Sequence, residues 1–354
     1  MKAALWYGAK DIRVEDVPQP TPSSGEVVVK VKRCGICGTD LHEYVSGPHV
    51  IPVDEPHSLT GFKAPIIIGH EFSGEIVEVG PNIKKWNVGD RVVVMPLLHC
   101  GECYYCRRGL EHLCEQFAAL GLQWYWGGFG EYCLVKEYQL NRLPDNLTYE
   151  QGACVEPTSL GLYGVRRSGL QAGDTVFISG GGPTAVFTLM GCFAAGASKV
   201  FMSEVQPGRV NKCREFGATE VFNPLECNLE AEILKRTNGV GVDVVFECTG
   251  IEAAINDCFR VLRKRGMYVQ SGLNVDPIKV NPFDWAYKDL NMVGLWCFNT
   301  YDFSSTIDLI STGRLPVEKS VTKVIKVEDI VKEGFEVLTA DKTGKEMKIQ
   351  VSFE

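Results

Sequence analysis

Short valine-rich runs broken by glycine and proline dominate the first third of the chain. EVVVKVKR (26–33), GEIVEVG (74–80) and DRVVVMP (90–96) are bounded by Gly, Pro or Asn, a pattern that predicts strands. From about residue 148 the texture changes. TVFIS (175–179), KVFMSE (199–204), EVFN (220–223), DVVFECTG (243–250) and MYVQSG (267–272) now alternate with helical stretches. Such alternation predicts a parallel sheet with helical crossovers. After about residue 296 the pattern predicts helices over 306–313 and 328–340 and a closing strand over 346–353. This tail is expected to return to the first domain.

Length sharpens the division. At 354 residues the chain exceeds one ordinary core at roughly 150 residues per domain, so two domains with a cleft between them are expected. The expected boundaries are 1–150 with 297–354 for a mainly β domain, and 151–296 for the α/β one. With 45% hydrophobic and 23% charged residues the composition is globular. A net charge of −8 and no long run of Lys or Arg argue against a nucleic-acid partner. The amino terminus offers an apolar stretch of only about five residues, short of an export-signal core. Nothing approaches the ~18 apolar residues of a membrane span. Fourteen cysteines in a chain of this size, read without an export signal, point to metal binding or burial rather than disulfides, and to a reduced, cytoplasmic setting.

After the strand TVFIS comes GGGPTA, with Gly180, Gly182 and Ala185 at the positions of G-x-G-x-x-G/A and Pro183 opening an apolar helix. The order strand, turn, helix is that of a Rossmann dinucleotide-binding domain, whose helix amino terminus receives the pyrophosphate. Glu204 ends the next strand 22 residues past Gly182, where a carboxylate accepts hydrogen bonds from ribose hydroxyls and repels a 2′-phosphate. NAD is therefore expected over NADP, with Arg209 close by as the opposing feature.

Cys100, Cys103, Cys106 and Cys114 form C-x2-C-x2-C-x7-C, a lobe around residues 97–116. Four thiolates close a tetrahedral zinc shell and leave no vacancy, so this site is expected to be structural, with an iron–sulfur cluster as the alternative. A second set is dispersed: Cys37, Thr39 and His42 in CGICGTDLH, His70 and Glu71 in GHEFSGEIVEVG, and Glu156 in ACVEP. Spacing alone leaves each of these with an ordinary structural role. All six histidines lie at or before residue 112, which confines any histidine chemistry to the amino-terminal part.

CGICGTDLHEY, GHEFSGEIVEVG, the four-cysteine lobe, VEP, the glycine turn and the acidic strand end occur together and in order over essentially the whole chain. In these pieces the chain resembles the zinc-containing medium-chain alcohol and polyol dehydrogenases. The loop from Ser46 to Phe72 is most similar to that of the (R,R)-2,3-butanediol dehydrogenases. The resemblance implies an α/β fold, a Rossmann domain joined to a GroES-like catalytic domain. It further implies a catalytic zinc held by Cys37, His70 and Glu156, with Glu71 beside the metal and able to ligate. Thr39 and His42 would form a proton relay, and Gly180, Gly182, Pro183, Glu204 and Arg209 would hold NAD. The implied reaction is oxidation of a secondary alcohol or vicinal diol to the ketone or acyloin, and the reverse, in a homodimer or homotetramer whose contact edge lies near 292–298.

Sorbitol- or L-iditol-type polyol and L-threonine dehydrogenases are the alternatives within the family. A non-catalytic protein on a dehydrogenase scaffold is the alternative outside it. Two departures from the family bear on substrate choice. Tyr163 stands where butanediol relatives commonly carry histidine, and Trp124, Tyr125 and Trp126 replace small residues. The aromatic run either narrows a pocket or forms a packed loop.

Overall fold

The structure is a computed structural model that describes residues 1–274 and 276–354. Its amino-terminal part is built around the strand Glu26–Gly35. One edge of this strand pairs antiparallel with Glu71–Val79 along its length. The other edge is shared: Tyr132–Lys136 pairs with Glu26–Lys30, and Lys348–Ser352 pairs with Arg33–Gly35. Arg91–Val94, Leu140–Arg142 and Val321–Lys326 complete a seven-stranded sheet, so both strands of the tail join the amino-terminal sheet. Val27, Val29 and Val31 are fully buried, and together with Phe72, Ile349 and Val351 they form the core on which this sheet rests.

The second sheet has six parallel strands. Thr175–Ser179, Lys199–Ser203, Glu220–Phe222, Val242–Glu247, Leu262–Gln270 and Asn291–Gly294, numbered in chain order, lie in the spatial order 3-2-1-4-5-6. This is the doubly wound order, with its reversal between Thr175–Ser179 and Val242–Glu247. Both faces are covered, as a parallel sheet requires. Val176 and Ile178 face the helices Pro183–Ala194 and Val155–Ser168, while Phe177 faces the layer that contains Ile233, Ile255 and Phe259. Ser179, Ser203, Glu247, Gln270 and Gly294 stand in one register row, which aligns the carboxyl ends of five strands.

Two predicted elements differ in form. The helix expected over 306–313 begins earlier, at Thr300, because Asn299 Oδ1 caps it by accepting from the Asp302 N–H at 2.9 Å. The helix expected over 328–340 is broken into a 3-10 turn (Val327–Asp329), a π-helical turn (Ile330–Phe335) and a short α-helix (Glu336–Ala340). Within the π turn, a Cβ on Gly334 would lie 2.7 Å from Ile36 Cδ1, so the missing side chain lets the chain close over the residue next to Cys37. Among the described residues no helix is long and apolar enough to cross a membrane.

Phe177, fully buried in the central strand of the parallel sheet, tests that core. Phe177→Ala should lower stability by about 3–5 kcal/mol, read as a shifted denaturant midpoint of the parallel-sheet domain.

Candidate active site

Strand register assembles the dispersed set. Gly35 stands opposite Glu71 on one side and Gln350 on the other. Two residues past Gly35 the chain reaches Cys37, which caps the helix Gly38–Ser46. His70 and Glu71 open the neighbouring strand, and Lys348 opens the third. One ligand atom from each of Cys37, His70 and Glu71 lies within 4.8 Å of the others. His70 and Glu71 are 5% and 0% exposed, whereas Cys37 is partly exposed.

Asp40 and Lys348 hold this group from behind. Asp40, 1% exposed, accepts from the Cys37 N–H at 2.9 Å and places its other oxygen 3.5 Å from His70 Nδ1. A carboxylate behind the imidazole orients a metal-ligating histidine. Burial works against a charged His70, but Asp40 and Cys37 outweigh it and raise the imidazole pKa well above its ordinary value. Lys348 Nζ donates to both oxygens of Glu71 at 2.9 and 2.7 Å and to the Ile36 carbonyl at 3.2 Å. Burial would lower the lysine, yet Glu71 reverses the sign and raises it. The pair is buried on both sides, so removing one partner strands the other charge.

Glu156 falls outside the tight group. It lies in the first turn of the helix Val155–Ser168, whose approach is held by Gln350 Nε2 donating to the Glu150 carbonyl at 2.9 Å and by the Ser73 hydroxyl donating to the Tyr149 carbonyl at 2.6 Å. Burial pushes its carboxyl up to about 7, with His70 lowering it and Glu71 raising it. The resemblance put Glu156 in the set and Glu71 beside it, able to ligate; in this structure the roles are exchanged, with Glu71 in the tight group and Glu156 outside it. Thr39 Oγ1 is 3.8 Å from Cys37 Sγ, and His42 is exposed one turn further along the same helix.

In the cysteine lobe the sulfurs of Cys100 and Cys106 are 3.9 Å apart, those of Cys103 and Cys106 3.5 Å, and those of Cys100 and Cys114 3.5 Å. A tetrahedral zinc with bonds of about 2.3 Å places sulfurs ~3.8 Å apart, so the cage matches zinc, and a disulfide at ~2.05 Å is ruled out. Backbone amides of Cys106 and Glu115 hold the Cys103 thiol down to about 6. Tyr163 does not face the cleft. Its hydroxyl lies 3.2 Å from His112 Nε2 inside the lobe and accepts from Arg167 at 2.7 Å, bracing the lobe against the Val155–Ser168 helix. Trp124, Tyr125 and Trp126 form a packed wall: Trp124 Nε1 donates to the Leu134 carbonyl at 3.1 Å, and its ring meets Phe62 edge-on at 5.1 Å.

At the dinucleotide turn Gly180 has φ +97°, and a Cβ there would meet Thr249 Cγ2 at 2.9 Å. Gly182 differs. A Cβ on it would meet nothing nearer than Arg209 Nη1 at 3.9 Å, so the fold itself does not require glycine, and the space suits a ligand that approaches the backbone. Pro183 opens the helix Pro183–Ala194. Glu204, 7% exposed, accepts from the Gly181 N–H at 2.8 Å and from those of Val205 and Gln206 at 2.7 and 2.9 Å. Arg209 stands beside this turn with its Nε unpaired.

The description "alcohol dehydrogenase GroES-like domain" matches residues 23–145, and "zinc-binding dehydrogenase" matches residues 183–312. Over 343 residues the chain is 41% identical to the (R,R)-butanediol dehydrogenase of Bacillus subtilis, covering 97% of each chain. It belongs to the zinc-binding alcohol dehydrogenase family. The (R,R)-butanediol dehydrogenase of Neisseria gonorrhoeae is 36% identical over 96% of each chain. The crystal structure of 2R,3R-butanediol dehydrogenase from Bacillus subtilis superposes with a TM-score of 0.93 at 40% identity, over 100% of this chain and 99% of that one. Among the described residues, two sets could hold zinc: a four-cysteine cage that would close the metal's shell and a three-donor set that would leave a position open.

Sequence reasoning missed Asp40 and Lys348. Asp40 carried a signal, an acid three residues after a helix-capping cysteine. Lys348 carried a misleading one, since KIQVS alternates polar and apolar as a half-exposed strand would, yet Lys348 is 2% exposed.

Two cysteine substitutions should separate the metal sites. Zinc analysis of the wild type should give two ions per chain. Cys37→Ser should lose one ion with little change in melting temperature, whereas Cys103→Ser should lose the other and unfold at lower temperature or aggregate. Zinc affinity at the Cys37 set should also rise with pH. Burial raises the Cys37 thiol and the His70 imidazole is raised too, so both protons must leave before metal binds. Calorimetric titration of the wild-type apoprotein against that of Cys37→Ser at pH 6 and pH 8, in buffers of different ionisation enthalpy, isolates this set's affinity and its proton release.

Proposed function

We propose that this chain catalyses the NAD-dependent oxidation of a secondary alcohol or vicinal diol of the 2,3-butanediol type to the ketone or acyloin, and the reverse reduction. The observation that carries the reading is the open Cys37, His70 and Glu71 set with the Thr39 hydroxyl beside its cysteine. The substrate class is supported by the 41% identity to (R,R)-butanediol dehydrogenase. When bound, zinc supplies a Lewis acid and NAD a hydride acceptor.

This chain's own residues supply the rest. Asp40 and Lys348 keep the ligand set oriented before substrate arrives. The Thr39 hydroxyl would accept the alcohol proton as it passes its own on, and His42, exposed on the same helix, would release a proton to solvent. Gly180, Gly182 and Pro183 receive the pyrophosphate. Glu204 accepts from the ribose hydroxyls, and a buried carboxylate at that place disfavours the phosphate of NADP. Arg209, whose Nη1 is the nearest atom to the open space at Gly182, would stand beside the bound cofactor. Glu156, buried and near enough to His70 and Glu71 to feel both charges, would be a further carboxylate for the metal.

We further infer a cytoplasmic homodimer or homotetramer. All fourteen cysteines are free. Among the described residues the strand Asn291–Gly294 pairs only with Leu262–Gln270 and leaves an open edge, next to an apolar hollow of about 300 Å³ lined by Trp285, Met292 and Val293. A second copy of the same edge is its natural complement.

Initial rates with NAD on the 2,3-butanediol stereoisomers, sorbitol and threonine test the reading. A butanediol stereoisomer should be the best substrate. Preference for sorbitol would move the chain to the polyol branch, and the absence of alcohol-dependent NADH formation would remove the enzyme reading. Thr39→Val should lower kcat by about 10²–10⁴-fold with zinc content unchanged, and Thr39→Ser should recover most of the loss.

A further inference from the structure

The strand Val242–Glu247 ends on a carboxylate that the chemistry above does not use. Glu247 is 0% exposed and stands in the row of strand ends, in register with Ser179 on one side and Gln270 on the other. Its Oε1 accepts from the Thr249 N–H at 2.8 Å and from the Thr249 hydroxyl. Its Oε2 accepts from the Gly250 N–H at 2.9 Å and from Gln270 Nε2 at 2.9 Å. Neither side-chain donor is free to reverse. Thr249 Oγ1 already accepts from the Ile251 N–H at 3.0 Å, which turns its proton toward Glu247. Gln270 receives the Tyr268 hydroxyl on its oxygen and donates from Nε2 to the Gly272 carbonyl at 2.7 Å, which fixes the amide.

Glu247 thus accepts four hydrogen bonds and donates none, the pattern of an ionised carboxylate. The nearest arginines along the chain are engaged elsewhere: Arg236 with Glu220 and Glu232, Arg260 with Asp257, and Arg263 with Asp243. A fully buried anion offset only by dipoles is costly unless a cation enters beside it.

Its position says which cation. A doubly wound sheet binds a dinucleotide in two halves across the strand-order reversal. Glu204 marks the adenosine half, which leaves the strand ends Glu247, Gln270 and Gly294 for the nicotinamide half. Thr249, held by Glu247, packs against Gly180 of the dinucleotide turn, and a Cβ on Gly272 would lie 2.6 Å from Glu247 Oε2. The carboxylate therefore sits directly beneath the floor of that half. The nicotinamide ring is a cation when oxidised and neutral when reduced.

We propose that Glu247 is a positioning residue whose negative charge makes the site prefer the oxidised dinucleotide over the reduced one. This rests on the reading that the chain binds NAD. One charge acting across a partly buried cleft alters such a preference by about 5- to 15-fold.

The test measures both affinities on the zinc-loaded full chain, NAD⁺ by calorimetry and NADH by its fluorescence. Glu247→Gln should raise the Kd for NAD⁺ about 5- to 15-fold relative to that for NADH. Glu247→Asp, which keeps the charge, should hold the ratio near wild type even where both affinities fall. Equal loss of both ligands in Glu247→Gln, or an unchanged ratio, would overturn the proposal, whereas a wild type that binds neither ligand would overturn the NAD reading instead. Leu273, 68% exposed with its carbonyl against Gly250, supplies variants that spare the core if Glu247→Gln does not fold. Leu273→Lys should move the ratio as loss of the carboxylate does and Leu273→Glu the opposite way; two soluble variants with the same ratio would count against the charge.

Discussion

Gly35, Glu71 and Gln350 stand opposite one another across three strands, and nearly every group of the reactive site is placed by that row. Cys37 follows Gly35 by one turn of chain, His70 precedes Glu71, and Lys348 and Gln350 arrive from the far end of the sequence. Gln350 then reaches across to the backbone that leads into the helix carrying Glu156. A one-residue slip of any of these strands would turn its side chains to the other face and dissolve the site. The core valines of Glu26–Gly35 therefore fix the geometry of the metal ligands as well as the stability of the sheet.

The two metal positions divide the work by what their donors leave over. Four sulfurs on one short lobe satisfy a tetrahedral ion completely, so that lobe can only brace, and His112 and Tyr163 carry the brace to the neighbouring helix. The other set gathers its donors from a helix start and a neighbouring strand, and with three protein ligands it would leave a coordination position open. The alternation of charges behind it, Asp40 against His70 and Lys348 against Glu71, allows two ionisable side chains to be buried beside Cys37.

How much of this could be read from the sequence depended on whether a signal was local. The glycine turn, Glu204 and the four cysteines were legible because their chemistry is written within a few residues. The doubly wound sheet was legible from the alternation of strand-like and helical runs. That Cys37, His70 and Glu156 converge, with Glu71 beside them, was expected only from family resemblance, since register between strands far apart in sequence is a tertiary fact. Asp40 and Lys348 stayed hidden because a polar residue in a capped helix or an alternating strand ordinarily faces water. Tyr163 was noted only as a departure from the family; that its hydroxyl meets His112 in the cysteine lobe is a tertiary contact that no local pattern names. The π turn at Ile330–Phe335 depends on how closely Ile36 approaches Gly334, which no local propensity encodes.

The partners of the Lys348–Glu71 pair are 277 residues apart in sequence. During synthesis the cysteine lobe and the parallel sheet can be complete while Glu71 still has no cation to meet. The reactive centre is then among the last parts of the molecule to mature, and a nascent chain that has not yet delivered the strand Lys348–Ser352 carries an unneutralised acid at the heart of its first domain. Ribosome pausing ahead of that strand would leave the centre, rather than the scaffold, exposed to misassembly.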